Sequence, residues 1–216
     1  QDINIKWEIY SYLTIFSENF LSYKENRSYY KPEEICLDYL EHKYSIVQND
    51  LIRENLKKYW GYHTFRKQQD EVVQSVFDGN DTLVLFPTGG GKSLCYQVPA
   101  TVFEGLTLVI SPLVALMQDQ VSQLKDRGIS ATFINSTLPK FEVEQRLVNA
   151  RNGMYKLIYC APERLSTPIF QAELEQLHIE LIAIDEAHCI SEWGHDFRPA
   201  YRLIKKLRPL FPQTPI

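Results

Sequence analysis

Five short runs of β-branched and large apolar residues punctuate residues 82–185: TLVLF at 82–86, LTLVI at 106–110, ATFI at 131–134, KLIYC at 156–160 and ELIAID at 180–185. Helical stretches are expected between them, near 93–100, 113–127, 139–151 and 169–176. Strands that are apolar throughout, rather than alternating with polar residues, are buried on both faces. Separated by helices, they predict a parallel β-sheet with helices on both faces, an α/β fold. Such sheets bind ligands beyond the carboxyl ends of their strands. The residues that end each run therefore carry most of the functional information.

Composition bounds the rest. A chain of 216 residues suffices for one α/β domain plus an extension. With 44% hydrophobic and 23% charged residues it is not a disordered chain. The formal charge of −4 excludes a uniformly basic nucleic-acid coat, so any nucleic-acid site must be a local patch. No apolar run approaches the roughly 18 residues of a membrane span, and no signal peptide opens the chain, so no membrane partner is expected. Cys36, Cys95, Cys160 and Cys189 form no C-x-x-C pair and have no zinc-ligand spacing. Reduced buried thiols are expected, as in an intracellular protein of the cytoplasm, nucleoid or nucleus, with no zinc.

Charge is uneven along the chain. Residues 1–50 hold 5 basic and 9 acidic residues, whereas residues 51–216 hold 18 of each. Tyrosines also crowd the front, which places a boundary near residue 50. Within 1–50, Trp7, Tyr10, Leu13, Phe16 and Phe20 recur at helical steps, and Pro32-Glu33-Glu34 reads as a helix start. A small, mostly α-helical extension is expected there. It either packs its own core or recruits a protein partner. Asp50 is expected to cap a helix running to Trp60 and ended by Gly61. A second helix is expected after Thr64, with Val72, Val73, Val76 and Phe77 on its apolar face and Gly79 at its close.

The run at 82–86 leads straight into Pro87-Thr88-Gly89-Gly90-Gly91-Lys92-Ser93 and then a helix. Strand, glycine loop and helix together form the context of a phosphate-binding loop. Glycines let successive N–H groups point inward at phosphate oxygens. Lys92 is placed to neutralise the β- and γ-phosphates and Ser93 to ligate Mg²⁺. The eight-residue pattern opens with Phe86 where Gly is usual. The run at 180–185 ends in Asp185-Glu186-Ala187-His188. An Asp at the tip of an apolar strand needs a cation, and the Mg²⁺ of a nucleotide is the natural one. Glu186 would then polarise the attacking water.

Together these motifs resemble a superfamily-two helicase core, and further segments resemble the RecQ family of ATP-dependent DNA helicases. Trp60-Gly61-Tyr62-His63-Thr64-Phe65-Arg66-Lys67-Gln68-Gln69 is similar to the family's adenine-reading motif. The resemblance implies that Tyr62 stacks on the base, Arg66 contacts the nucleotide and Gln69 hydrogen-bonds the adenine edge. Thr88, Gly89, Gly90 and Gly91 would cradle its phosphates. Ser111-Pro112-Leu113 is similar to the first DNA-backbone motif, with Ser111 expected at a helix N-terminus. Asn135 and Arg164 match family positions after later strands. Cys189-Ile190-Ser191-Glu192-Trp193-Gly194-His195-Asp196-Phe197-Arg198-Pro199 resembles the aromatic-rich loop of the family. Trp193 and Phe197 would stack on bases of single-stranded DNA, with His195 between them and Arg198 meeting a phosphate or stacking. Lys92, Asp185, Glu186 and His188 would form the catalytic set, with ATP and Mg²⁺ as cofactors.

The resemblance covers about residues 51–216 and implies the first RecA-like lobe of a P-loop NTPase. The chain starts at Gln1 rather than Met and stops where a second RecA-like lobe is expected to follow. A fragment is therefore expected, one that binds nucleotide without unwinding duplex DNA. The parent would be a 3′-to-5′ helicase of DNA repair or recombination that acts on single-stranded and duplex DNA. The competing readings are a nucleotide-switch ATPase that never unwinds, and a partner-binding module acting through residues 1–50.

Overall fold

In the computed structural model, residues 48–191 and 197–216 are described, the side chain of Lys67 excepted. The expected helical extension lies almost wholly outside them. The chain divides into two compact units, Gln1–Leu51 and Ile52–Ile216.

The first described residues, 48–60, are helical and are called α1. Asp50 lies inside this helix rather than at its start, because 48 and 49 are already helical. Gly61 ends it as expected: at φ +75° its N–H turns back to the Lys57 carbonyl at 3.0 Å. The elements that follow are α2 (Lys67–Phe77), α3 (Leu94–Val102), β1 (Leu106–Ile110), α4 (Val114–Asp126), β2 (Ala131–Ile134), α5 (Lys140–Arg151), β3 (Leu157–Cys160), α6 (Pro168–Leu174), β4 (Ile179–Ile184) and α7 (Leu207–Leu210). Short 3₁₀ turns cover Pro162–Ser166, Ala187–Ile190 and Pro199–Lys206.

The four strands form one parallel sheet in the order β2-β3-β1-β4. Alternate residues of each strand enter opposite cores. Leu108, Ile110, Ile158, Cys160 and Ile182 face Val143, Leu147 and Ala150 of α5 and Phe170 and Leu174 of α6. Val109, Leu157, Tyr159 and Ala183 face Met117, Val121 and Leu124 of α4 and Ala100 of α3. Burial on both faces explains why these strands read as unbroken apolar runs. Each fully buried Leu or Ile side chain contributes about 1.5–3 kcal/mol by leaving water.

The run at 82–86 departs from expectation, since it joins no ladder. Its exposure alternates as a strand's would, with Leu83 at 79% and Leu85 at 84%. Its described partner is the segment 215–216. The Ile182 N–H donates to the Pro215 carbonyl at 3.0 Å, and the Thr82 N–H to the Ile216 carbonyl at 2.9 Å. Residues 215–216 thus lie between β4 and the start of the 82–86 run.

Candidate functional site: the carboxyl edge of the sheet

From β1 the chain leaves toward β2, whereas on the far side of β4 it meets residues 215–216. Connections that leave two neighbouring strands in opposite directions open a crevice at their carboxyl ends. Ser111 follows β1 and Asp185 follows β4, so both stand at that crevice. The Asp185 N–H donates to the Ile110 carbonyl at 2.8 Å, which extends the parallel pairing one residue further.

The phosphate loop fills the space before α3. Gly89 and Gly91 take φ +76° and +77°, conformations that favour glycine. A Cβ at Gly90 would lie 2.9 Å from Phe86 Cβ and from the Pro87 carbonyl, so the tight turn admits no side chain there. A Cβ at Gly91 would collide with the Gln69 amide. Lys92 Nζ donates to the Phe86 carbonyl at 3.1 Å and the Pro87 carbonyl at 3.4 Å. Ser93 is the N-cap of α3.

Gln69 is 3% exposed and both ends of its amide are engaged. Its Oε1 accepts the Arg66 N–H at 3.1 Å, and its Nε2 donates to the Gly90 and Gly91 carbonyls at 3.3 and 3.2 Å. The residue expected to read adenine thus also braces the phosphate loop. Tyr62 is 55% exposed and Arg66 is exposed, which leaves both open to a ligand. Thr88 and Gly89 are also exposed.

At the end of β4, the pKa of the Asp185 carboxyl is raised, chiefly by burial and then by the neighbouring Glu186 carboxylate. The Glu186 N–H, the Ser111 hydroxyl and the Lys92 ammonium act against this shift. Glu186 is the one described non-glycine residue with positive φ, at φ 50° and ψ 44°. Its N–H donates to Asp185 Oδ1 at 3.1 Å, and its Oε2 lies 3.2 Å from His188 Nδ1. Two adjacent carboxylates, both half-buried, suit a hard divalent cation. Hydroxyl and carboxylate oxygens are the donors Mg²⁺ prefers. The residue types present, the Ser93 hydroxyl at the start of α3 and the Asp185 carboxylate at the end of β4, are thus of the kind Mg²⁺ takes.

The residues expected on DNA are placed less simply. Ser111 is 1% exposed and stands before the helix, since α4 begins at Val114 with Leu113 as its N-cap. Its N–H is spent on the Cys160 carbonyl at 3.0 Å, and its Oγ donates to Asp185 Oδ2 at 3.4 Å. Pro112 keeps Ser111 out of the helix, because the residue before a proline is biased toward extended backbone. Asn135 is 0% exposed; its Oδ1 accepts the Thr137 N–H at 3.1 Å and hydroxyl at 2.8 Å. Arg164 Nε donates to the Asn135 carbonyl at 3.0 Å, and Nη2 donates to the Asn135 and Leu138 carbonyls. Asn135 and Arg164 therefore form a clasp that holds the turn after β2, and neither the Ser111 nor the Asn135 side chain faces solvent. Arg164→Ala is expected to lower stability by about 2 kcal/mol, because three charge-assisted bonds to backbone carbonyls are lost. A urea unfolding midpoint measures this.

Trp193 and His195 lie outside the described residues. Phe197 is half-buried, with the Arg202 guanidinium 5.6 Å from its ring centroid. Arg198 Nη1 donates to the Pro112 carbonyl at 2.8 Å, and the Arg198 N–H to the Cys189 carbonyl at 2.9 Å. Sequence reasoning missed one residue at this edge, Tyr201. It is 0% exposed and its O–H donates to the Asp185 carbonyl at 2.8 Å. It also missed the buried amide of Gln97, which donates to Gln120 Oε1 at 2.7 Å and the Tyr159 hydroxyl at 2.9 Å, tying α3 to α4 and β3. A polar residue in an otherwise apolar helix was the available signal.

Comparison with known proteins places this site in context. The RecQ ATP-dependent DNA helicase of Bacillus subtilis is 52% identical over 153 residues, covering 70% of this chain and 26% of that protein. RecQ of Pasteurella multocida is 45% identical over 202 residues, covering 94% of this chain and 30% of that protein. The chain thus spans about a quarter to a third of these relatives. Among solved structures, the DUF1998 helicase MrfA bound to DNA superposes with TM-score 0.62 at 21% identity, over 77% of this chain and 25% of that one. A hypothetical ATP-dependent RNA helicase from Sulfolobus tokodaii superposes with TM-score 0.56 at 20% identity, over 77% of this chain and 47% of that one. These two likenesses establish the RecA-like fold expected from the sequence. The DEAD/DEAH box helicase model matches residues 66–215. The chain, strongly similar to RecQ helicases, belongs to the DEAD/DEAH box helicase family.

Proposed function

We propose that this chain is the first motor lobe of an ATP-dependent DNA helicase of RecQ type, acting 3′ to 5′ inside the cell in repair or recombination. The observation that carries the reading is that α3, which the glycine loop enters, packs against β1 and β4, the strand that ends in Asp185. In this reading Tyr62 and Arg66 hold the adenine end of ATP, and Gln69 reaches it by exchanging the Gly90 and Gly91 carbonyls for the base. Thr88, Gly89, Gly90 and Gly91 offer N–H groups to its phosphates. Lys92 exchanges the carbonyls of Phe86 and Pro87 for phosphate oxygens.

Ser93 and Asp185 would hold Mg²⁺, which neutralises charge developing on the transferred phosphoryl group. Glu186, its carboxylate beside His188, accepts a proton from the attacking water. Single-stranded DNA would meet Trp193, His195, Phe197 and Arg198 through stacking and charge. With Ser111 and Asn135 buried, that loop is the main DNA contact of this lobe. In this reading a second lobe, and unwinding with it, would come from sequence of the kind that fills the remaining length of the RecQ relatives. Residues 1–50 are the segment for any protein partner.

The test is binding of a labelled ATP analogue, with and without Mg²⁺ and single-stranded DNA. Lys92→Ala is expected to weaken binding by about 100-fold, the worth of roughly 3 kcal/mol of charge-assisted bonds. Unchanged binding in that variant would remove the phosphate-loop reading. DNA that never alters nucleotide affinity or turnover, with Trp193→Ala also silent, would favour the switch that does not unwind.

A further inference from the structure

Asp185 stands one residue past the end of β4. Its N–H is still paired to Ile110, but its carbonyl is met by a phenol rather than by a strand. That phenol is Tyr201, which is fully buried and comes from the 3₁₀ turn Pro199–Lys206. A buried hydroxyl is costly unless it finds a partner, so the bond to Asp185 is the condition on which the ring packs there. Burial and the neighbouring Cys189 raise the phenol's pKa, which keeps it a donor.

The contact closes a ring of bonds around the acidic strand end. Ser111 Oγ reaches the Asp185 carboxylate at 3.4 Å from one side, and Tyr201 holds its main chain from the other. The Tyr201 N–H donates to the Arg198 carbonyl at 2.9 Å, and the Arg198 guanidinium returns to Pro112, next to Ser111. The Asp185 carbonyl belongs to the peptide that enters Glu186, the residue held in the left-handed region. Such a conformation persists only where its surroundings over-determine it.

We propose that Tyr201 is a positioning residue of the metal site. Its hydroxyl fixes the peptide between Asp185 and Glu186, and so aims the Asp185 carboxylate at the divalent cation of a bound nucleotide. This rests on the reading that Ser93 and Asp185 hold Mg²⁺. Partners that orient a ligating side chain from behind are typically worth about 10–100-fold in metal affinity.

The experiment titrates Mg²⁺ into the full 216-residue chain at a fixed concentration of fluorescent ATP analogue and repeats the analogue titration in EDTA. Tyr201→Phe keeps the ring and removes only the hydroxyl. It is expected to raise the half-saturating Mg²⁺ concentration by about 10–100-fold while leaving affinity in EDTA unchanged. An unchanged Mg²⁺ midpoint, or an equal loss with and without metal, overturns the proposal, because packing alone would then explain the residue. Should the variant fail to fold, 3-fluorotyrosine placed at position 201 of the otherwise unaltered chain gives the same decision. Its ¹⁹F resonance is expected to move on Mg²⁺ addition to the nucleotide-bound chain, and a fixed resonance overturns the proposal. Failure of the underlying reading looks different: the unaltered chain would bind no analogue, or Lys92→Ala would bind it equally well, and the proposal would fall with that reading.

Discussion

Glu186→Gln is expected to slow ATP hydrolysis by about 10²–10⁴-fold, the usual worth of a positioned general base, while nucleotide binding stays nearly unchanged. The substitution keeps the length of the side chain and its ability to sit beside His188, and removes the group that takes the proton. The backbone at Glu186 argues that its direction matters. A left-handed non-glycine residue costs of order 1–3 kcal/mol, and such strain gathers at functional sites. At φ 50° the chain turns sharply off the end of β4. Asp185 remains in the crevice while the next side chain is carried to His188, 3.2 Å from its Oε2. In the proposed reading, one carboxylate would thus be kept for the metal and its neighbour for water. Single-turnover hydrolysis, with the chain in excess over ATP, separates the two effects. A rate that does not fall would assign water activation to another group.

The same edge shows how far a sequence can be read and where the reading stops. The parallel sheet was legible because both faces of each strand are covered, and four of the five runs became strands within a residue of expectation. The fifth, at 82–86, has the composition of a strand but joins no ladder among the described residues; pairing is a property of two segments, and composition describes one. Motif spacing located the glycine loop and the acidic pair because each is contiguous. It could not reveal Tyr201, whose partner lies sixteen residues away. It also could not show what polar residues at strand ends hold within the fold. Ser111, Asn135 and Arg164 look like ligand contacts in sequence, and in the structure they also bond to Asp185 and to the turn after β2, with the buried Asn135 Nδ2 left without a partner. At the end of a buried strand a polar side chain has two employers, solvent-borne ligand and orphaned backbone, and only geometry tells which one holds it.

The second large expected effect concerns an arginine. Phosphoryl transfer gains roughly 10³–10⁵-fold from a guanidinium placed on the transition-state charge. Among the described residues the two arginines on the carboxyl edge are already committed, Arg164 to the carbonyls of Asn135 and Leu138 and Arg198 to that of Pro112. Moving either would open the turn it holds. Lys92 supplies charge at the β- and γ-phosphates but, as a point charge, cannot reproduce a planar fork. The lobe alone is therefore expected to bind Mg-ATP, turn it over slowly and separate no strands. Joining it to the downstream part of the Bacillus subtilis RecQ relative is expected to raise ATP turnover by about 10³–10⁵-fold. Replacing each downstream arginine in turn by alanine should then identify the one that restores the lobe's own slow rate. If the 216 residues alone already hydrolyse ATP at the joined rate, with stimulation by single-stranded DNA, the missing charge comes from within this chain. Arg66, which is exposed at the start of α2, would be the first residue to replace.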